Sequence, residues 1–381
     1  LAKVREQQYR SNLRAVRGTR KLNVIVYGAS VSYYTGKLET YLRYRGIDYE
    51  RRSPYPEAKR LAQGVGCIQH PILEDDDGRL MTDTSPILLH LEKEYADNPI
   101  LPDDPVMRFI ALLIEDYADE WLWRPAMHYR WSYDHDRELL SRILADELLA
   151  HLKMPRFFRI RMVKKRQRTG FVINDGVTAE TWDHVEQGYH NILALMSGVL
   201  ERRPFLLGSK PSIADFGLMG PMLRHFGQDP TPAEIMRDTA PAVYEWVARM
   251  WHIPSSHQQG DWLTDPTDLQ RLLQEIVETH LAQLKANALA YASGSKKFSM
   301  KVQGCTYQKL PVSRYRVYCL EILRENFASL DESSQSELKT LLGAEAELLW
   351  SDKVCAESDY DRERAAPFNR AINVFEDGVP K

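Results

Sequence analysis

Hydrophobic and polar positions follow two different periods along this chain, and the period changes near residue 100. A β-branched run over 22–28 predicts a buried strand. Helical spacing of apolar residues over 35–46 ends at a glycine, and an extended pattern resumes over 47–52. Together the three segments predict a βαβ unit with a right-handed crossover.

The segment up to residue 97 adds a helix, a hairpin and a second helix. A helical stretch is predicted over 57–63, and two short strands over 71–74 and 79–81 flank an Asp-Asp-Asp-Gly turn. Ser85-Pro86 then opens an amphipathic helix that runs to Tyr95. The predicted order is therefore βαβ, α, ββα.

After a proline-rich linker over 98–105 the pattern is almost entirely helical. Residues 153–177 are less regular, and a polar tail follows the last helices. Helices are predicted over 105–131, 134–152, 178–203, 212–226, 236–252, 267–291, 313–330 and 333–350.

Composition limits the class of protein. A length of 381 residues predicts two or three domains, and 44% hydrophobic with 27% charged content is typical of a globular chain. The net charge of −3 argues against a general nucleic-acid binder, and no apolar run approaches the roughly 20 residues of a membrane span. Four scattered cysteines without metal-binding spacing, and no apolar signal core after Leu1, lead us to expect a cytoplasmic protein without a metal site.

Four motifs occur in a fixed order on this framework. They are the strand–loop–helix junction from Tyr27 to Lys37, the dipeptide His70-Pro71, the pair Asp83-Thr84 ahead of Ile87, and Ser212-Ile213-Ala214-Asp215 after Phe205. In this order and spacing the chain resembles the glutathione transferase superfamily.

The resemblance implies an α+β fold in which a thioredoxin-like domain precedes a mostly all-α domain with a helical extension. The implied boundaries are a basic arm over 1–21, a glutathione-binding domain over 22–97, a helical domain over 105–260, and an extension with its tail over 265–381. Glutathione would be the co-substrate, and a homodimer is expected because members of the superfamily commonly dimerise. The implied activity is a glutathione-dependent transferase or lyase that uses the thiolate.

The resemblance assigns Ser32 to the thiol. A hydroxyl at a helix N-terminus, with the helix dipole, would stabilise the thiolate of glutathione. Tyr33 stands where many members have proline, so the phenol of Tyr27, Tyr33 or Tyr34 remains an alternative donor. Thr35 takes the second position of a redox-like pair, and without cysteine a mixed disulfide is not expected. A third interpretation is that Ser32 is a helix cap in a protein that has lost catalysis.

The other motifs imply how glutathione would bind. The backbone of His70, ahead of an expected cis Pro71, would pair with the cysteinyl part. Asp83 and Thr84 would hold the γ-glutamyl end. Ser212 and Asp215 form a capping box whose role is structural. The basic group for the glycyl carboxylate is left open among Lys37, Arg51, Arg52 and Lys59.

An aromatic segment over 121–135 contains three Trp, two Tyr and two His. One interpretation is a second-substrate pocket for an apolar or aromatic electrophile, and the other is that these rings belong to the core. The pocket would use Trp123, His128, Tyr129 and Trp131, with Arg130 as a further polar anchor.

Two segments are strongly basic. Residues 1–21 contain seven basic residues and one acid, and residues 156–168 contain seven and none. Each is interpreted as a solvated surface or as a contact for an anionic substrate or partner. If chemistry has been lost, these segments and the extension would serve a non-catalytic binding protein.

Overall fold

A computed structural model describes residues 23–95, 97–257, 260–353 and 357–360. The predicted basic arm over 1–21 and most of the predicted tail lie outside the described residues.

A four-stranded mixed sheet forms the N-terminal part and has the order β2-β1-β3-β4. β1 pairs in parallel with β2, whereas β3 is antiparallel to both β1 and β4. The strands are β1 Asn23–Tyr27, β2 Asp48–Arg52, β3 Ile72–Glu74 and β4 Leu80–Thr82. The helices are α1 Tyr33–Arg45, α2 Ala58–Val65 and α3 Thr84–Glu92. The predicted βαβ, α, ββα order is confirmed.

Eight helices follow between residues 105 and 252, and three of them begin with proline at the first helical position. They are α4 Pro105–Glu120, α5 Trp123–Ser132, α6 Asp134–Leu148, α7 Arg156–Gln167, α8 Trp182–Leu200, α9 Ile213–Pro221, α10 Pro230–Thr239 and α11 Pro241–His252. Proline suits this position because its missing N–H would have no partner within the helix. The predicted mostly α region is confirmed.

The region over 153–177 is more regular than its sequence predicts. α7 is a complete helix, and wider turns continue it over Arg168–Ile173. Val163 is the one residue of α7 that is buried, so the helix has almost no apolar periodicity. Its regularity therefore could not be recognised from hydrophobic spacing.

The C-terminal extension is helical except for one hairpin that the sequence analysis did not predict. Its elements are α12 Gln270–Ile276, α13 Ala282–Ala292, β5 Lys297–Val302, β6 Cys305–Pro311, α14 Arg314–Ala328 and α15 Glu332–Leu342. Buried Phe298, Met300 and Val302 alternate with exposed residues along β5, which is the period of a half-buried strand. The hairpin falls in the stretch over 292–312, for which the sequence analysis predicted no element.

Helix α9 joins the two parts by packing against both α1 and α4. The ring of Phe216 lies edge-on to Tyr41 and Tyr44, with centroids 5.7 and 5.2 Å apart. A buried ion pair links Arg224 to Glu39 at 2.5 Å. Through these contacts α1, which begins at the candidate site, is fixed against the helical region. Among the described residues, no helix combines the length and apolarity that crossing a membrane requires.

Candidate functional site

Three of the predicted site segments meet at one edge of the sheet. Ile72, the first residue of β3, pairs with the last residue of β1 and with the last residue of β4. The loop after β1, the His70-Pro71 dipeptide and Asp83 must therefore lie side by side. The His70-Pro71 peptide bond is cis.

Ser32 caps the N-terminus of α1. Its backbone is extended, and its side-chain oxygen accepts a hydrogen bond from the Thr35 amide at 3.5 Å. The serine is half-buried, and its hydroxyl makes no donor hydrogen bond within the described part of the chain. A ligand atom in front of this helix would meet a free O–H donor and the positive end of the helix dipole.

The helical region holds the loop that leads to Ser32. Arg130 donates to the Val31 carbonyl at 2.6 Å and forms an ion pair with Asp229 at 2.6 Å. The Ser30 amide donates to Glu147 at 2.7 Å. Sequence reasoning missed the role of Glu147 and placed Arg130 in a pocket, because these partners lie about 100 residues from the loop.

The three tyrosines that competed with Ser32 use their hydroxyls elsewhere. Tyr27 donates to Glu74 at 2.8 Å, Tyr33 to the Ala118 carbonyl at 2.5 Å, and Tyr34 to the Asp119 carbonyl at 2.8 Å. Burial raises the pKa of Tyr27 to about 12, and it raises the pKa of Tyr33 and Tyr34 well above the ordinary value. Of these four hydroxyls, that of Ser32 is the one left to donate to a ligand.

Three buried side-chain atoms along this edge have no hydrogen-bond partner among residues 23–95, 97–257, 260–353 and 357–360. They are Thr35 Oγ1, Ser53 Oγ and His70 Nδ1. Burial, followed by the charge of Arg166, lowers the pKa of His70 to about 4, so its ring is neutral at pH 7. Because buried polar atoms are normally paired, such a group is typical of a place that receives a polar ligand or ordered water.

Asp83 is half-buried and has a strained backbone. Its φ is 71°, in the left-handed region that non-glycine residues rarely adopt, and it is the residue ahead of α3. Burial raises the pKa of Asp83 to about 6, although a hydrogen bond from the Tyr315 hydroxyl at 2.8 Å opposes the rise. Thr84, its predicted partner, is buried. Tyr315 belongs to α14, and no sequence signal linked that helix to this edge.

Lys37, one of the four basic candidates for the glycyl carboxylate, is buried and already paired. Its ammonium is fully buried and pairs with Glu115 and, at 2.5 Å, with Asp119. It also donates to the Ser85 hydroxyl at 3.0 Å. Burial alone would lower the pKa of Lys37, but the two carboxylates raise it above its ordinary value. Lys37 therefore ties α1 to α4 and is not available to a ligand from solvent.

The other candidates for the glycyl carboxylate differ in their partners. Arg51 pairs with Glu39 at 2.7 Å, and Arg52 pairs with Glu50 at 2.6 Å. Lys59 is exposed and makes no ion pair with any residue that the structure describes. Lys59 is thus the free cation of the four.

The aromatic segment divides between the site and the core. Half-buried Trp123 stacks on Tyr34 with centroids 5.6 Å apart, and Phe171 meets it edge-on at 5.4 Å. The rings of His128, Tyr129 and Trp131 are buried within the helical region. The pocket interpretation is therefore corrected for these three residues, which are core, while Trp123 lies near Ser32 through Tyr34. Phe171 was missed because it lies within the less regular segment over 153–177.

Two family models match the chain in sequence order. The model for the glutathione S-transferase N-terminal domain matches residues 26–99, and the model for the C-terminal domain of the same family matches residues 161–254. A curated glutathione S-transferase from Triticum aestivum is 31% identical over 81 residues, which are 21% of this chain and 38% of that protein. The chain thus spans less than half the length of this relative.

Solved glutathione S-transferases are also similar. The structure from Rhodospirillum rubrum has a TM-score of 0.41 and 17% identity, covering 61% of this chain and 89% of that one. The structure from Methylobacterium radiotolerans, a complex with glutathione sulfonate, has a TM-score of 0.37 and 19% identity, covering 64% and 98% of the two chains.

Proposed function

This chain belongs to the glutathione transferase superfamily, and from that premise we propose that it binds glutathione at the sheet edge and stabilises its thiolate with Ser32. The observation that carries the proposal is the strand register, which brings Ser32, cis Pro71 and Asp83 to one edge. The three unpartnered polar atoms beside it support the binding of a polar ligand there.

The two ends of the peptide would be held by different groups. The ionised carboxylate of Asp83 would accept hydrogen bonds from the γ-glutamyl ammonium, and the N-terminus of α3 at Thr84 would favour its carboxylate. The backbone of His70 would pair with the cysteinyl part. Lys59 of α2, which makes no ion pair with any described residue, is the proposed partner of the glycyl carboxylate.

The thiol would then lie in front of α1. A hydrogen bond from Ser32 and the helix dipole favour the thiolate over the thiol, whose free pKa is about 8.5. The thiol proton leaves to solvent, the sulfur forms a bond to an electrophilic carbon, and the leaving group departs with the electrons of the broken bond. Tyr34, Trp123 and Phe171 offer an apolar wall for an aromatic electrophile.

Ser32→Ala tests this assignment. We expect kcat/KM for conjugation of 1-chloro-2,4-dinitrobenzene to fall at least tenfold, about the loss of one hydrogen bond to a developing charge, while the Kd for glutathione stays within about twofold. Ser32→Thr, which keeps the hydroxyl, should recover most of the activity. Tyr34→Phe should retain it, because the Tyr34 hydroxyl is already bonded to Asp119. Equal turnover by wild type and Ser32→Ala would refute the role of Ser32.

One contact favours a second candidate, a glutathione-binding protein without transferase chemistry. The Ser32 oxygen already caps α1 by accepting a hydrogen bond from the Thr35 amide at 3.5 Å, a structural role that needs no chemistry. Retention on immobilised glutathione without conjugation of any general electrophile would select this candidate. A cytoplasmic location and a homodimer stay predictions of the sequence analysis.

A further inference from the structure

A cation-lined groove runs beside α7. It has a volume of about 380 Å³ and an open mouth, and its apolar side is formed by Ile173. The cations come from α6, from α7 and from the turn that follows it, and they are Arg137, Arg161, Lys164, Lys165 and Arg168. No acidic side chain lines the groove.

Two of the five cations are neutralised by neighbours. Lys164 pairs with Glu138, and Arg137 pairs with Asp134. The other three make no ion pair with any residue in the described ranges, and they are Arg161, Lys165 and Arg168. The groove therefore carries an excess of three positive charges without a counter-charge from the described part of the protein.

The segment that forms the groove also borders the proposed thiol site. Near one end, Arg166 donates to the Tyr55 hydroxyl at 3.4 Å, and the Tyr55 ring meets that of His70 edge-on at 5.9 Å. Past the groove, Phe171 contacts Trp123, which stacks on Tyr34. α7 and the turns after it thus carry the groove cations and also residues that contact the surroundings of the proposed thiol site.

We propose that this groove binds the acidic group of the second substrate, an aromatic or apolar electrophile that carries a carboxylate, sulfonate or phosphate. This inference rests on the proposed function and adds a substrate class to it. A small anion fits better than an extended polyanion, because the groove is short and carboxylates such as Asp134 and Glu138 lie at its margin. Ile173 supplies apolar contact for the body of such a molecule.

Two electrophiles with the same ring and leaving group, one anionic and one neutral, test whether the groove recognises the negative charge of the substrate. In both 4-chloro-3,5-dinitrobenzoate and its methyl ester, the glutathione sulfur bonds to the ring carbon that releases chloride, but only the benzoate is anionic. We expect a lower KM for the benzoate in the wild type. In the double variant Lys165→Glu, Arg168→Glu the KM for the benzoate should rise about tenfold, while that for the ester stays within about twofold. Added salt should reduce the difference in KM between the benzoate and the ester in the wild type.

A charge-matched control uses exposed lysines of β5. The double variant Lys297→Glu, Lys301→Glu has the same change in net charge at exposed residues that do not line the groove, and it should keep both KM values. Equal KM changes for benzoate and ester in the groove variant, or equal benzoate changes in both double variants, would overturn the inference.

Binding in the absence of glutathione separates this inference from the proposed function. Calorimetry of the full chain should give a lower Kd for the benzoate than for the ester, and the groove variant should lose that preference. Benzoate preference without any conjugation would contradict the transferase proposal and support the groove. Conjugation of both electrophiles with no preference, or tight binding of heparin with no benzoate binding, would contradict the groove assignment.

Discussion

At the scale of single residues, Asp83 is the most unusual member of the site. A left-handed backbone conformation costs on the order of 1 kcal/mol or more for a non-glycine residue, and Asp83 combines it with a half-buried carboxylate. The Tyr315 hydroxyl donates to its Oδ2 atom, and the charge of Lys37 also favours the ionised form. An ammonium from glutathione would pair directly with this carboxylate.

The pH dependence of glutathione binding tests that interpretation. Because burial raises the pKa of Asp83 to about 6, the carboxylate is charged above pH 6 and neutral below it. We expect affinity for glutathione to fall as the pH decreases through about 6. Calorimetric Kd values between pH 5 and 8 would measure this change.

The Tyr315→Phe variant sharpens the same prediction. Loss of the Tyr315 hydroxyl removes a hydrogen bond that lowers the pKa of Asp83. The midpoint of the pH dependence of glutathione binding should therefore move to higher pH. Tyr244→Phe, at an exposed tyrosine, should leave the midpoint unchanged. A Kd that is constant from pH 5 to 8, or the same midpoint in Tyr315→Phe, would exclude Asp83 as the ammonium ligand.

The sequence could predict those site residues whose positions are set by neighbouring residues along the chain. The positions of Ser32, His70 and Asp83 follow from strand ends and helix starts, which short patterns reveal. The environment of Lys37 does not, because its partners Glu115 and Asp119 lie 78 and 82 residues away. A basic residue early in a helix gives no sign that it will be buried.

At the scale of elements, the start of α9 carries the clearest structural motif. Asp215 accepts hydrogen bonds from Ser212 and from the Leu206 amide at 3.0 Å, and Trp246 donates to it at 3.2 Å. α9 packs on both α1 and α4, so this cap supports the contact between the two parts of the molecule.

Asp215→Ala should lower the free energy of unfolding by about 3–5 kcal/mol, because several buried donors lose their acceptor at once. Asp331→Ala is the matched control, since Asp331 caps α15 by accepting from the Ser334 amide at 2.9 Å on the surface. It should cost about 1 kcal/mol. Urea unfolding curves would compare the two, and an equal loss of stability in both variants would contradict the structural role of the buried box.

The elements that sequence patterns missed share a cause. α7 buries one side chain, and the hairpin of β5 and β6 has few alternating residues, so neither produces a long periodic signal. The helices of the core were predicted because burial imposes a helical period on their apolar residues.

At the scale of the whole molecule, the proposed site is built from parts that are distant in sequence. Glu147 is 117 residues from Ser30, and Tyr315 is 232 residues from Asp83. The extension thus contributes Tyr315 to this edge as well as residues to the core, and local patterns could not predict that contact. In the proposed complex, this edge holds glutathione with its sulfur at Ser32.

The pKa of the bound thiol tests this claim most directly. Thiolate absorbance near 240 nm can be titrated in the glutathione complexes of the wild type and of Ser32→Ala. We expect a thiol pKa at least about one unit below the free value of roughly 8.5 in the wild type, and a return toward the free value in Ser32→Ala with glutathione still bound. An unshifted thiol pKa in the wild-type complex, or the same lowered value in both proteins, would contradict the claim.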